Sequence, residues 1–325
     1  MFNVSYVSSR AIMTNICTIF PSNPVSSIRK AYDYDWKTVR TGDIIYIQSS
    51  AIPDWINRCL PKISPEIRFT LVSGDCDESV PYDLFHSEQS LKRFIEDPRL
   101  VHWYSQNADS SCHPKLSVIP IGLDYHTLVP QPTVNIVVTS AEHSWGPSAT
   151  PEQQEFLLKE IARKAPPFSN RELLCYSNFH FPAMINGRKY GQDRVDCLKS
   201  VPHSLIKFEE APCKRLKTWL NQTKCKFVLS PHGGGYDCHR TWEAIALGCI
   251  PIVKSSPIDE LYKDLPVLIV KSWADITPEL LQEFATGNSQ GNYLESFPKL
   301  ILQYWRDIIR AEHVPLVSRQ LVTDR

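Results

Sequence analysis

Phe227-Val228-Leu229-Ser230-Pro231-His232-Gly233-Gly234-Gly235-Tyr236-Asp237-Cys238-His239-Arg240-Thr241-Trp242-Glu243-Ala244-Ile245-Ala246-Leu247-Gly248-Cys249-Ile250-Pro251-Ile252-Val253 reads as a strand, a glycine-rich turn, a helix, a tight turn and a second strand. Three of the chain's twelve glycines fall in consecutive positions here, so this is the junction that most needs freedom of backbone approach. A helix that starts after such a turn presents unpaired N–H groups and a partial positive charge, which suits a phosphate. Asp237 is read as the N-cap, and Gly248 as the left-handed residue that ends the helix. Arg240 and Glu243 stand three apart and are read as sharing a helical face. An arginine in the first turn can neutralise a diphosphate, and a glutamate one turn later can accept hydrogen bonds from a ribose or sugar hydroxyl. The plainer alternative is a polar loop followed by a surface i,i+3 pair. A mononucleotide P-loop does not fit, because no Gly-Lys-Ser/Thr follows, and the Rossmann glycine pattern is absent.

The surrounding sequence repeats the same alternation. In the first half, strands are read at 43–48, 69–73, 101–104 and 116–121, with helices at 53–60 and 90–95. The pattern weakens between Val138 and Pro167, where one helix, 152–164, is read inside a proline-rich stretch. It resumes with strands at 172–177, 205–208, 226–230, 250–254 and 267–270 and helices at 193–199, 213–221 and 238–247. Strand and helix in alternation imply parallel sheets covered on both faces. The reading is therefore α/β: a first domain at 1–150, a second at 151–290, and a final segment at 291–325. In that last segment Leu294, Phe297, Ile301, Trp305, Ile308 and Ile309 carry the spacing of an amphipathic helix over 293–312.

Composition limits the partners. Lysine plus arginine equals aspartate plus glutamate, 35 against 35, so the excess of positive charge that a non-specific nucleic-acid binder needs is missing, and any anion must be held locally. Ten cysteines without a C-x-x-C pair argue against a zinc ribbon and for mostly free thiols. The beginning of the chain lacks a basic stretch leading into an unbroken apolar run, and no transmembrane segment is read anywhere. As written the chain reads as soluble, with the cytoplasm favoured and the Golgi lumen as the alternative if an N-terminal anchor lies outside this sequence.

Lys226 to Val253, with Arg240-x-x-Glu243-Ala244 followed by Gly248-Cys249-Ile250-Pro251-Ile252-Val253, resembles the donor-binding segment of exostosin-like glycosyltransferases of the GT-B fold. The resemblance is specific over roughly 30 residues and extends over the second domain. It implies two Rossmann-like α/β domains facing a cleft, with the terminal helix crossing back to the first. It also implies an enzyme that takes a nucleotide-diphosphate sugar in the second domain, a UDP-sugar ahead of a GDP-sugar, and a glycan or glycoconjugate acceptor in the first, with no further cofactor. Carried over residue by residue, Glu243 would bind the ribose or sugar of the donor, and Arg240 with His232, Gly233, Gly234 and Gly235 would face the diphosphate. Related retaining enzymes place a second glutamate eight residues before the first. That position is Gly235 here, which favours an inverting reaction.

Further candidates come from loops that follow strands, where α/β sheets bind ligands. Arg188 and Arg194 are read as cations reaching the diphosphate from across the cleft, or else as part of a solvated helix start. Asp75 is the candidate general base toward an acceptor hydroxyl, with an ordinary polar turn as the alternative. Asp75 and Asp77 form an Asp-x-Asp that would make the transfer metal-dependent under a second reading. Asn107, Asp124 and His126 are acceptor-side candidates in equivalent loops. A third reading is a glycan-binding protein that keeps the fold without turnover.

Overall fold

The computed structural model describes residues 2–129, 146–179, 190–209, 211, 213–288 and 297–311. Arg188, Leu294 and positions 138–145 of the stretch where the pattern weakens lie outside the described residues. Two parallel sheets organise the chain. The first contains β1 (Ile44–Gln48), β2 (Phe69–Gly74), β3 (Leu100–Ser105) and β4 (Leu116–Val118), hydrogen-bonded in that order. Register partners share a face, so Ile45, Leu71, Trp103 and Leu116 form one row. α2 (Ile52–Arg58) and α3 (Glu88–Ile95) close that face: Trp55 meets the Phe69 ring edge-on at 5.8 Å, and Phe94 meets Trp103 at 5.4 Å. β1 and β2 are buried along their whole length, as strands covered on both sides must be.

The opposite face is covered by α1 (Ser9–Ile16), which the sequence reading leaves unassigned, and by α9 (Leu302–Ala311), which packs against α1. Val7 N–H donates to Leu300 O at 2.9 Å and Leu302 N–H to Ser5 O at 2.8 Å, so the segments at 5–7 and 300–302 lie side by side on the first half. The amphipathic helix read over 293–312 is shorter in the structure. A single 3₁₀ turn at Pro298–Leu300 precedes it, and the helix itself starts at Leu302. Proline fixes its φ and has no N–H for an i to i−4 bond, which explains why no continuous helix runs through position 298.

The second sheet holds β5 (Glu172–Ser177), β6 (Ile206–Phe208), β7 (Cys225–Leu229), β8 (Ile250–Lys254) and β9 (Leu268–Val270), in the spatial order β6-β5-β7-β8-β9. Chain direction along the sheet reverses between β5 and β7, and ligands of such sheets collect in the crevice at the carboxyl ends of those two strands. α5 (Gly191–Ser200) and α8 (Pro278–Gly287) contribute to the apolar cluster on one face, with Cys197, Leu281 and Ala285 packed among Cys175, Phe227, Leu229 and Ile252. α4 (Pro151–Lys164), α6 (Arg215–Gln222) and α7 (His239–Ala246) line the other, where Leu158, Trp219, Tyr176, Val228 and Trp242 belong to the same continuous cluster as the first sheet. One apolar cluster therefore spans both halves, while the other face of the second sheet keeps a cluster of its own. All ten cysteines are free thiols, seven of them buried. No helix among the described residues is long and apolar enough to cross a membrane.

Candidate functional site

The carboxyl end of β7 runs through Ser230 and Pro231 into His232 and the glycine turn, and α7 starts at His239. The N-cap is Cys238, one residue later than the sequence predicts. Asp237 is unavailable for that role because its carboxylate is turned into the protein. It accepts from Trp242 Nε1 at 2.9 and 3.0 Å, Ile121 N–H at 2.8 Å and Tyr262 Oη at 3.1 Å. Burial pushes its pKa up to about 6 against the pull of these donors. Gly248, at φ 71°, ends α7 in the left-handed region, as its residue type predicts.

Arg240 sits in the first turn of α7 and reaches the β5/β7 crevice. Its guanidinium lies 5.3 Å from the Phe179 ring centre, just beyond β5, and donates to Pro231 O at 3.4 Å and Ser230 Oγ at 3.5 Å beyond β7. Among the described residues it makes no ion pair. Glu243 does not face the same surroundings: its Oε2 accepts from Trp219 Nε1 of α6 at 3.0 Å. The i,i+3 spacing thus spreads the two side chains to neighbouring flanks of the helix rather than pairing them.

Arg194 and its neighbour Asp193 come from the first turn of α5 on the far side of the crevice. Arg194 Nε donates to His232 O at 3.4 Å. Asp193 accepts from His232 N–H at 2.9 Å and Trp273 Nε1 at 2.8 Å and lies 3.5 Å from Lys254 Nζ. It fixes the loop that carries the glycines, a role that nothing in its local spacing announces. Burial lowers the pKa of His232, with Asp193 opposing, which favours the neutral ring. Tyr190 and Tyr236 stack at 4.5 Å beside that ring, and Tyr190 Oη lies 2.5 Å from Ser79 Oγ of the first half.

The glycine turn is buried against strand-end loops of the first sheet. A Cβ on Gly234 would collide with the Asp77 carboxylate, and one on Gly235 with the Asn107 amide. Asn107 is fixed: it is buried, its Oδ1 accepts from Asp237 N–H at 2.9 Å, and its Nδ2 donates to Cys76 O at 3.2 Å. Asp77 is exposed and can swing away. Gly235→Ala should therefore destabilise the protein by about 1–3 kcal/mol, whereas Gly234→Ala should cost less than about 1 kcal/mol. Urea unfolding of both variants checks this, and equal losses would contradict the distinction.

The remaining first-half candidates separate. Asp75 has φ 62° and is buried in an ion pair with Arg10 of α1, Nη2 to Oδ2 2.9 Å. Asp75 and Asp77 thus face different elements, α1 and the glycine turn. Asp124 and His126 follow β4 and meet the second half. Asp124 Oδ2 pairs with Arg215 Nη2 of α6 at 2.5 Å, and Oδ1 lies 3.2 Å from His126 Nδ1. Burial works to raise the Asp124 pKa, but His239, Arg215 and His126 outweigh it and hold the group well below the usual carboxylate range. His239 Nδ1–H donates to Gly122 O at 2.7 Å, joining α7 to the same loop. Arg10, Asp193, Arg215 and His239 are contacts the sequence reading misses, because each acts across a long separation in the chain. Compared with protein-family models and with curated proteins, the chain matches none.

Proposed function

We propose that this protein is a GT-B-type glycosyltransferase that moves a sugar from a nucleotide-diphosphate sugar to an acceptor hydroxyl with inversion. The observation that supports this best is the position of Arg240: on the first turn of α7, over Phe179, at the β5/β7 switch point. A departing diphosphate placed there meets the helix N-terminus and the guanidinium, with Arg194 near the opposite wall, and such fixed positive groups stabilise charge as it develops on the leaving group. Glu243 lies one turn further along, where its second oxygen suits a ribose or sugar hydroxyl. The acceptor lies toward the carboxyl ends of the first sheet, near Asp124 and His126. Asp75 serves as base in this reading only after leaving Arg10, which makes it the weaker of the first-half groups.

The test is a thermal-shift panel of UDP, GDP and their sugars on the full chain. A bound nucleotide raises the midpoint by mass action, about 2.7 kcal/mol of stabilisation at a hundredfold excess over Kd. Arg240→Ala should abolish the shift and reduce transfer by about 10²–10³-fold, with circular dichroism unchanged. A nucleotide shift without transfer would leave a glycan-binding protein as the reading. No shift with any nucleotide would overturn the donor site itself.

A further inference from the structure

Where the loop after β4 meets the first turn of α7, a carboxylate oxygen of Asp124 and one ring nitrogen each of His126 and His239 lie within 4.8 Å of one another. We propose that these three side chains form a site for a divalent cation of the zinc class, which clamps the two halves of the molecule together. The inference does not depend on the glycosyl-transfer reading. Two imidazoles and one carboxylate are a donor set that zinc takes readily, with a fourth position left to water.

The outer contacts of the cluster are those of a ligand set. His239 Nδ1–H is used on Gly122 O, which fixes the tautomer and leaves the Nε2 lone pair to face outward from that bond. Asp124 has its two oxygens in different environments. Oδ2 is taken by Arg215 and by Thr127 Oγ1 at 2.6 Å, whereas Oδ1 receives only Thr127 N–H at 3.0 Å and faces His126. One oxygen is thus oriented by a cation and a hydroxyl while the other keeps lone-pair capacity. His126 Nδ1 is buried and finds no hydrogen-bond partner among the described residues, although Asp124 is 3.2 Å away. A buried ring nitrogen in that condition is costly unless something fills its lone pair.

Distance sets the adjustment required. Tetrahedral ligands at about 2.0–2.2 Å from one ion stand about 3.3–3.6 Å apart, so a pair at the 4.8 Å limit must close by about 1 Å on binding. The rings of His126 and His239, with centres 5.4 Å apart and planes tilted by 56°, would turn toward each other to do this. The ligands come from both halves, two from the first and one from α7, so occupancy would tie the glycine-turn helix to the first sheet.

The experiment is titration of the metal-free full chain with Zn²⁺ by calorimetry, and with Co²⁺ by visible absorption. One equivalent should bind with a rise in thermal midpoint, and the cobalt spectrum should show nitrogen and oxygen ligation without a thiolate charge-transfer band. His126→Gln and His239→Gln should each weaken affinity at least tenfold while leaving the metal-free unfolding midpoint close to that of the parent. Absence of one-to-one uptake, a thiolate band reporting the free cysteines, or undiminished binding in both variants would overturn the site.

Discussion

Arg215→Leu should destabilise the protein by about 3–5 kcal/mol, a large part of the 5–15 kcal/mol that holds a domain folded. The reason is the position of its partner. Asp124 is 9% exposed, and its Oδ2 sits against Arg215 Nη2 at the junction of β4's loop with α6. Arg215 Nη1 also donates to Asp124 O at 2.8 Å and Gln154 Oε1 at 3.0 Å, so one guanidinium satisfies three acceptors from two other segments. Deleting it leaves a buried carboxylate with no guanidinium against it. The pair is expensive to break from one side and much less so from both: Arg215→Leu combined with Asp124→Asn should recover more than half of the loss. Urea unfolding of the two single variants and the double variant gives the coupling. A single-variant loss under about 1 kcal/mol, or a double variant as damaged as the sum, would show that the ion pair does not secure the halves.

The second large effect is at Gly122. Its φ of 67° lies in the left-handed region, and a Cβ there would collide with the carbonyl of Val7 and the Cα of Ser8. These are backbone atoms held by an antiparallel bridge between Ser8 and Gly122, with Ser9 N–H donating to Ile121 O at 2.9 Å and Leu123 N–H to Val7 O at 2.8 Å. No side chain can rotate to make room. Gly122→Ala should therefore cost about 1–2 kcal/mol for the backbone conformation and about 1–3 kcal/mol more for the overlap. The damage should also reach α7, since the Gly122 carbonyl is the acceptor for His239. The measurement is the unfolding free energy together with the rate of proteolysis near residue 8. An alanine variant as stable as the parent would mean that the N-terminal segment is not held against this loop.

What the sequence displays and what it hides follow from the range of the interactions. All nine strands among the described residues are visible in the alternation of short apolar runs: β1 and β2 are buried along their whole length and need local hydrophobicity whatever their neighbours are, and even the half-exposed β6 keeps Ile206 and Phe208. Gly248 is equally legible, since a left-handed helix end selects glycine by local sterics. The helix α1 escapes because it is buried nearly all round, Ser9, Arg10 and Asn15 included, so its apolar stripe is interrupted by polar residues that are satisfied elsewhere. Asp237 looks like a cap from its position, yet the acceptor it becomes is decided by Trp242, Tyr262 and the distant Ile121. In the candidate site, Arg240 and the glycines stand out through spacing, while Asp193, Arg215 and His239 gain their roles from partners 39, 91 and 117 positions away. From sequence, the three consecutive glycines read as room for a ligand. The structure gives two of them a nearer reason, the side chains of Asp77 and Asn107 pressed onto their backbone.

The pairing of residues 5–7 with 300–302 has a consequence for how the protein is made. Tyr6 bridges to Ile301, Leu302 N–H donates to Ser5 O, and Val7 N–H donates to Leu300 O. During synthesis at about 5–20 residues per second, the segment that opens the first half waits roughly 15–60 s before the residues that cover it emerge. Both sheets, contiguous from Ile44 to Val118 and from Glu172 to Val270, face no such delay. Each can therefore form as it emerges, and the first half is completed last, when α9 reaches the face of α1 that it covers.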